Sequence, residues 1–275
     1  MIRRCNTPII AVSIFYWIIV TFSSEAAAKP SRFVVTYGIY WLGLPVYGGR
    51  VQVKFDESIY DIRVSNKSRG IMNLIKRSKH EITASGRIDG ALRSVQRYRL
   101  LSFVGQKRIR VEITRNEAGL MQASRLVRPP ARITNNRPVV SRARMDEAFD
   151  PAAGFLFGVM QPHNGRPCSR RVPFFDGMRR FDIAFSGPLE SSSARGKPVP
   201  LGTRAVLCRI HVHQIAGFTK SEARDMDVAV KRMATVRFVW TPQHRVWFPV
   251  RIEYASKWGP ISIELLRVWA DDRVD

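Results

Sequence analysis

The side chains best suited to chemistry in this sequence include a close pair of histidines, His211 and His213, on either side of Val212. On a strand both imidazoles would project from one face, where such a pair can bind a metal ion. That face also carries Arg209, whose guanidinium opposes a cation, and a zinc site needs three or four ligands. Structural or solvated histidines are therefore the favoured interpretation, and we expect no metal and no cofactor.

Carboxylates that could work as a paired acid and base are few. Asp146 and Glu147 precede a predicted helix, whose N-terminus they favour electrostatically. Asp225 and Asp227 fall in a mixed-charge segment typical of a solvated surface. The chain has no Gly-x-Ser-x-Gly, His-Glu-x-x-His or P-loop motif. We therefore expect no catalytic residues and no enzyme activity, with a hydrolase of envelope polymers as the least favoured alternative.

The elements that position these residues are predominantly strands, because apolar and polar residues alternate along much of the chain. The alternation is clear over 58–65, 108–114, 245–254 and 261–265. Alternation with one apolar and one polar face is typical of antiparallel sheets. Turn signals separate further predicted strands at 32–42, 49–56, 79–88, 93–103, 119–127, 179–186, 203–215 and 234–241.

Two helices interrupt the predicted strands. Residues 70–77 form a short amphipathic segment, and Asp150-Pro151 is a good N-cap and first helical residue for a helix over 152–160. Segments 128–143 and 187–200 are predicted loops, and 220–232 is a loop or a short helix. The fold class is all-β and mainly antiparallel: a curved or spiral open β-barrel of roughly a dozen strands with one or two short helices.

The N-terminal residues 1–28 have the pattern of a secretory signal peptide. Arg3 and Arg4 precede the apolar run 8–22, and a small-residue pattern ends at Ala28. Cleavage is expected between Ala28 and Lys29, leaving a single β-rich domain over 29–275. The apolar run is short for a membrane span, which needs about 20 residues. A retained membrane anchor is the alternative. We expect a periplasmic protein.

Export changes how the strongly basic composition is interpreted. The chain has 45 Lys and Arg against 22 Asp and Glu, and residues 1–28 contain two Arg and one Glu, which leaves 43 basic and 21 acidic residues and a net charge of +22. Outside the cytoplasm nucleic acid is not an expected partner. The charge indicates either an ordinary solvated surface or contact with envelope polyanions such as phospholipid head groups. Peripheral membrane contact is consistent with it.

Cys168 and Cys208 are the two cysteines beyond the signal segment. In an oxidising compartment an isolated pair usually forms a disulfide, which is the favoured interpretation. A catalytic thiol is the alternative, although nothing near either residue resembles a nucleophile context.

Aromatic residues recur along the predicted strands, and most should fill the core. A curved sheet of this many strands can still leave a cavity, since larger barrels are hard to fill with side chains. Candidate lining residues are Tyr37, Tyr60, Phe248 and Tyr254. An apolar interior with a basic rim would suit a lipidic or acylated anionic ligand. The alternative is a protein-interaction or scaffold module of the cell envelope that uses sheet edges or a basic outer face.

Several segments resemble one family of exported proteobacterial proteins, the domain-of-unknown-function family DUF3108. Residues 33–51 (FVVTYGIYWLGLPVYGGRV) resemble its first hairpin, and 150–160 its Asp-Pro helix. Cys168 with 172–183 is similar to the family's first cysteine and the hairpin after it. Cys208 with the Ile-Ala-Gly of 215–217 is similar to the family's second cysteine and the glycine after it, and 237–252 resemble its closing hairpin. The resemblance implies a periplasmic, β-rich protein and no assigned activity.

Overall fold

The structure, a computed structural model, describes residues 31–56, 58–89, 92–116, 119–129, 137–159, 167–189, 204–224, 234–241, 246–256 and 258–271. The predicted signal peptide and its cleavage site between Ala28 and Lys29 lie outside the described residues. So do most of the loop predicted at 187–200 and much of the segment 220–232.

Strands account for most of the described residues. They are β1 (Ser31–Trp41), β2 (Leu44–Asp56), β3 (Ile59–Ser68), β4 (Ser78–Asp89), β5 (Leu92–Val104), β6 (Lys107–Arg115), β7 (Met121–Arg128), β8 (Arg171–Phe175), β9 (Arg180–Ser186), β10 (Ala205–Ala216), β11 (Ala234–Thr241), β12 (Val246–Ser256) and β13 (Gly259–Asp271). The helices are α1 (Met72–Ile75), α2 (Arg142–Asp146) and α3 (Pro151–Ala153), which continues as a π-helical turn over Gly154–Val159. Residues 220–224 are also helical.

All thirteen strands join one antiparallel sheet in the order β7-β6-β5-β4-β3-β2-β1-β13-β12-β11-β10-β9-β8. Neighbours in the sheet are also neighbours along the chain, except where β1 pairs with β13. The sheet does not close, so β7 and β8 are its two edges. This confirms the predicted class of a mainly antiparallel, open barrel-like sheet of about a dozen strands with few short helices.

The register places alternate turns at opposite ends of the sheet. The turn at 42–43, the segment that holds α1, the turn at 105–106 and the turn before Gly259 lie at one end, called here the α1 end. The first of these is a two-residue hairpin turn with positive φ at both Leu42 (50°) and Gly43 (80°). Turns of this type match the twist of the flanking strands, and they favour glycine or asparagine.

The core follows from the alternation. Val35, Val53, Ile62 and Ala84 are buried on successive strands and belong to one large apolar cluster on the inner face. A second cluster surrounds the two cysteines near β8 to β12. Phe149 and Phe155 pack against both clusters, so the chain segment that precedes and forms the α3 helix joins them.

The segment between the two edge strands carries α2 and α3 and docks beside β8. Phe149 forms a parallel bridge with Phe174, with hydrogen bonds from Phe149 N to Pro173 O (3.0 Å) and from Phe175 N to Phe149 O (2.8 Å). The turn after β8 also reaches across the gap between the edges, since Gly177 lies directly against Val111 of β6. The described parts of the linking segment therefore pack against the inner face of the open sheet.

The structure departs from the predicted elements in four main places. β2 begins at Leu44 rather than 49, because Gly48 pairs with both neighbouring strands despite its low strand propensity. The alternation did not indicate β8, which has only five residues with a proline at its centre. Helix α2 lies at the end of the segment 128–143 predicted as a loop. The first predicted helix, 70–77, is reduced to Met72–Ile75.

Candidate functional site

An apolar cavity of about 270 Å³ lies between the inner face of the sheet and the α3 segment. This volume is close to the lower end of small-molecule sites, about 300–1,000 Å³. The lining comes from six strands and the helical segment: Phe33, Val35, Tyr37, Ile39, Gly49, Val51, Val53, Ile62, Val64, Asn66, Ile82, Pro151, Ala152, Phe155, Leu156, Ile252 and Ile263.

The apolar row that forms the floor of the cavity follows directly from strand register. Val35 lies opposite Val51, Val51 opposite Val64, and Val64 opposite Ile82. Directly opposed residues share a face of the sheet with side chains close together. These β-branched side chains are short, so four neighbouring strands present a smooth apolar surface at the level where α3 crosses.

Gly49 adds to the open space at one end of this surface. It lies opposite Tyr37 of β1 and Asn66 of β3. A Cβ at this position would have its nearest contact at 3.7 Å, with Ser65 O, so a side chain would fit. The glycine therefore leaves unfilled volume between Tyr37 and Asn66.

The opposite wall is the α3 segment, and its first residue is fixed by a buried cap. Asp150 Oδ1 accepts hydrogen bonds from Ala152 N at 2.8 Å and Ala153 N at 3.1 Å. Asp150 Oδ2 is buried without a hydrogen-bond partner among the described residues. Burial raises the pKa of Asp150 to about 6. The capped helix then presents Phe155 and Leu156 to the cavity.

Polar groups gather where the cavity approaches the α1 end. Asn66 Oδ1 is buried and accepts no hydrogen bond from the described residues. Asn66 pairs across the sheet with His80. Burial lowers the pKa of His80. The Ser78 hydroxyl donates to the Tyr47 hydroxyl at 3.1 Å. A buried acceptor with no partner costs about 1–3 kcal/mol, so a ligand O–H or N–H at Asn66 would be favourable.

A basic depression lies beyond Asn66 at the α1 end of β3 and β4. It is lined by Lys67, Ser68, Arg69, Asn73, Arg77 and Ser78. Ser68 is two residues beyond Asn66 and therefore on the same face of β3. Lys67, Arg69 and Arg77 are exposed, and none of the three forms an ion pair within the described part of the chain. An apolar cavity is thus followed along β3 by unneutralised positive charge.

Comparison with known protein families gives a match over residues 32–266 to the model described as "Protein of unknown function (DUF3108)". The chain belongs to this family. Among curated proteins nothing matches it. A solved structure that is similar is the beta-barrel-like protein of domain of unknown function DUF1849 from Brucella abortus. The two share 10% sequence identity over 89% of this chain and 99% of that chain, with a TM-score of 0.44.

The four lining residues predicted from the sequence occupy different places in this DUF3108 protein. Tyr37 lines the cavity, and its hydroxyl donates to Pro249 O at 3.3 Å. Burial raises the pKa of Tyr37. Tyr60 and Phe248 belong to the buried core and are not among the residues that line the cavity. Tyr254 is half-buried and is not part of the lining.

The remaining candidate groups lie away from the cavity. Cys168 and Cys208 form a disulfide within the second core cluster. His211 Nε2 lies 2.8 Å from Ser186 Oγ at an exposed position. Within the ranges that the structure describes, no group of three or more His, Cys, Asp or Glu could hold a metal ion. No helix among the described residues has the length and apolar character that a membrane crossing requires.

Sequence reasoning missed three parts of the site: the helical wall, Asn66 and the basic depression. The Asp150-Pro151 cap signalled the helix but not the strands that it faces. Asn66 carried a local signal, since it falls on the apolar face of β3 in line with Ile62 and Val64. The basic depression was also visible as the run 67–80, which contains three Lys, two Arg and no acidic residue before Glu81.

Proposed function

We propose that this DUF3108 protein is exported to the periplasm and binds a lipidic or acylated anionic ligand there without catalysing a reaction. The observation that carries the proposal is the apolar cavity under α3, with the basic depression next to it along β3. The acyl chain would lie along the apolar row that forms the floor of the cavity. The anionic group would lie near Lys67, Arg69 and Arg77. Export rests on the N-terminal sequence pattern and is consistent with the disulfide.

The lining supports binding rather than catalysis. Within the described residues it contains no His, Cys, Asp or Glu, and its hydroxyl group belongs to Tyr37. The orphan Asn66 Oδ1 supplies a selective polar contact. A ligand with an amide N–H or a hydroxyl close to its acyl chain would satisfy this atom, whereas a plain hydrocarbon would leave it unpaired.

The first experiment asks whether lipid is bound. Native mass spectrometry of the purified protein should detect a copurifying acylated species. A fluorescent fatty acid should bind to the protein, and the copurifying species should displace this probe. A ligand at one hundred times its Kd stabilises the fold by about 2.7 kcal/mol. A domain of this size should then melt about 5–10 °C higher. Lipid-free protein that neither binds the probe nor shifts its melting temperature contradicts the proposal.

A cavity-filling variant tests the location. In Val51→Trp the larger ring enters the cavity, which has room for it, so the protein should stay folded while probe binding falls at least tenfold. Gln52→Trp is the matched control, since position 52 is the next residue of β2 and faces the other side of the sheet. Equal binding by both variants would place the ligand elsewhere.

A charge variant tests the anionic part. Replacement of Lys67, Arg69 and Arg77 by Gln should weaken the binding of a fatty acid probe by about threefold to 150-fold, at about 0.2–1 kcal/mol for each exposed charge. The uncharged fatty alcohol of the same length should bind as before. Similar losses for both probes would show that the basic depression does not contact the ligand.

The scaffold alternative draws on one observation, the edge strand β7. Its residues from 122 to 126 are exposed, and its outer side has no strand partner in the described sheet. An edge of this kind can accept a strand from another protein. Recovery of a defined envelope protein by pull-down, lost when Ala123→Pro removes a ladder donor on β7, would favour this second function.

A further inference from the structure

The α1 end of the sheet exposes several large apolar side chains at once. Leu74 is 88% exposed, Trp258 70% and Ile75 65%. The complete set, called here the apolar tip, is Leu42, Leu44, Ile71, Leu74, Ile75 and Trp258. These residues come from three turns that lie side by side, because β4, β3, β2, β1, β13 and β12 are consecutive in the sheet.

Contacts between the turns hold the apolar tip together. Trp41 Nε1 donates to Trp258 O at 2.7 Å, and Leu42 N donates to Pro260 O at 3.1 Å. On the other side, Arg69 N donates to Val46 O at 2.7 Å. The apolar tip is therefore one surface of the folded sheet rather than a set of independent loops.

The conformation of Leu42 indicates that exposure here is retained at a cost. Its φ of 50° lies in the left-handed region, where asparagine or glycine is favoured and a leucine is uncommon. Burial of the leucine side chain does not offset this backbone strain, since the side chain is 55% exposed. Strained residues of this kind cluster at functional sites.

The unpaired charge around the apolar tip is positive. Segments 41–47, 67–80, 102–109 and 255–262 contain no Asp or Glu. The exposed basic residues at this end include Lys67, Arg69, Lys76, Arg77, Lys107 and Arg108, and within the described residues none of these six forms an ion pair. Lys79, also exposed here, pairs with Glu81 at 2.6 Å. At the far end of the same strands the sequence is mixed, with Asp56 and Asp61 close to Lys54 and Arg63.

We propose that the α1 end docks on the surface of an anionic phospholipid bilayer, with the apolar tip inserted among the head groups and the basic residues against lipid phosphates. Interfacial membrane anchors have this composition, in which Leu, Ile and Trp lie beside Lys and Arg. The side chains project from three neighbouring turns, and a fluid head-group layer can accommodate them without the matching rigid pocket that a protein partner would have to supply. This proposal concerns a surface of the protein and goes beyond ligand binding in the cavity.

Vesicle co-flotation tests the proposal. The wild-type chain should float with vesicles of phosphatidylcholine containing 30% phosphatidylglycerol, and binding should fall steeply with salt. Leu74→Asp should lower the bound fraction at least tenfold. The matched control is Ile59→Asp, since Ile59 is 54% exposed at the other end of β3 and should change binding less than twofold. All proteins carry the same N-terminal residues, so the difference between variants reports on the apolar tip.

Two further variants separate docking from folding and test the charge. Leu42→Asn places a favoured residue at positive φ, so the melting temperature should hold or rise while vesicle binding falls. Lys76→Glu should weaken binding about fivefold or more, at about 1 kcal/mol for each basic residue near an anionic surface. Lys54→Glu, with the same charge change at the far end, should not.

The outcomes distinguish docking from ligand binding. Equal binding by the tip variants and their far-end controls, or no flotation of wild type with anionic vesicles, overturns the docking proposal. Binding of the tip to pure phosphatidylcholine as strongly as to the anionic mixture overturns its electrostatic part. Val51→Trp, which fills the cavity, should float like wild type. The result of the vesicle assay therefore stands whether or not the cavity binds lipid.

Discussion

The buried cap of helix α3 should make the stability of the protein depend on pH in the direction opposite to most carboxylates. Asp150 Oδ1 accepts two backbone hydrogen bonds, while Oδ2 has no partner among the described residues. Asp150→Asn keeps an Oδ1 acceptor of the same shape and removes the titration. Asn is as good an N-cap as Asp, so the helix should still begin at Pro151.

The magnitude follows from the two pKa values. Burial raises the pKa of Asp150 in the folded protein to about 6, and that of an aspartate in the unfolded chain is about 3.9. The folded state therefore holds the proton more tightly. The free energy of unfolding should fall as the pH rises from about 4 to about 6, and it should be level above that window. Two pKa units correspond to about 3 kcal/mol, which is an upper limit.

Urea unfolding of wild type and Asp150→Asn from pH 4 to pH 8 measures the effect. The variant should be up to about 3 kcal/mol more stable relative to wild type at pH 7 than at pH 4. Other titrating groups cancel in this difference. Asp61→Asn is the control, since it removes an exposed carboxylate that pairs with Arg63 at 3.1 Å. If the difference between wild type and Asp150→Asn does not change with pH, the account of the buried cap is wrong.

Three further predictions concern the disulfide, an ion pair and a tight turn. Cys208→Ser should lower the free energy of unfolding by about 4 kcal/mol, because the disulfide closes a loop of about 40 residues. Wild type in reductant should show the same loss. Unchanged urea midpoints would refute this prediction. The hydrogen bond from Arg137 lowers the pKa of Glu222 to about 2. Wild type should therefore lose stability as the pH falls below about 4.3, and Glu222→Gln should lose less. Parallel acid unfolding curves of the two proteins would contradict this. Gly217 has a φ of 80° and a Cβ there would lie 2.1 Å from Met178 O, so Gly217→Ala should cost at least about 2 kcal/mol, and an unchanged melting temperature would refute the steric argument.

The strands could be predicted where alternation alone determines them. β3, β6 and β12 keep one apolar and one polar row, so the sequence indicated both their positions and their buried faces. The first half of β2 could not be found in this way, because Pro45 and the pair Gly48-Gly49 resemble a turn. In the structure β1 and β3 pair with β2 on both sides, and the Arg69 side chain covers Gly48. Tertiary pairing thus overrides the local signal.

β8 illustrates a second limit of local reasoning. Pro173 at its centre argues against a strand, yet an edge strand tolerates a proline because one of its sides has no ladder. Here the side away from β9 faces Phe149, which donates to Pro173 O. No residue near 173 indicates that a segment more than twenty residues earlier will lie there.

The cavity was only partly predictable for the same reason. Tyr37 follows from the alternation of β1, since it lies on the face that turns inward. The helix that covers the face, however, meets β1 only because β1 pairs with β13 and brings both halves of the sheet around the linking segment. Such long-range pairing has no signature in a local window, so Phe155 and Leu156 could be assigned to a helix but not to a ligand site.

The position of α3 couples the cavity to the buried carboxylate. Ala152 both donates to Asp150 Oδ1 and lines the cavity, so a ligand in the cavity contacts the turn of helix that Asp150 caps. A ligand that fills the cavity further excludes water from this turn, which favours the protonated carboxyl group. Because linkage is reciprocal, protonation of Asp150 should in turn strengthen ligand binding. The affinity of a fatty alcohol, a probe that does not itself titrate in this range, should therefore rise from pH 7 to pH 5 in wild type. It should stay level in Asp150→Asn, and a rise of equal size in the variant would show that helix and cavity are independent.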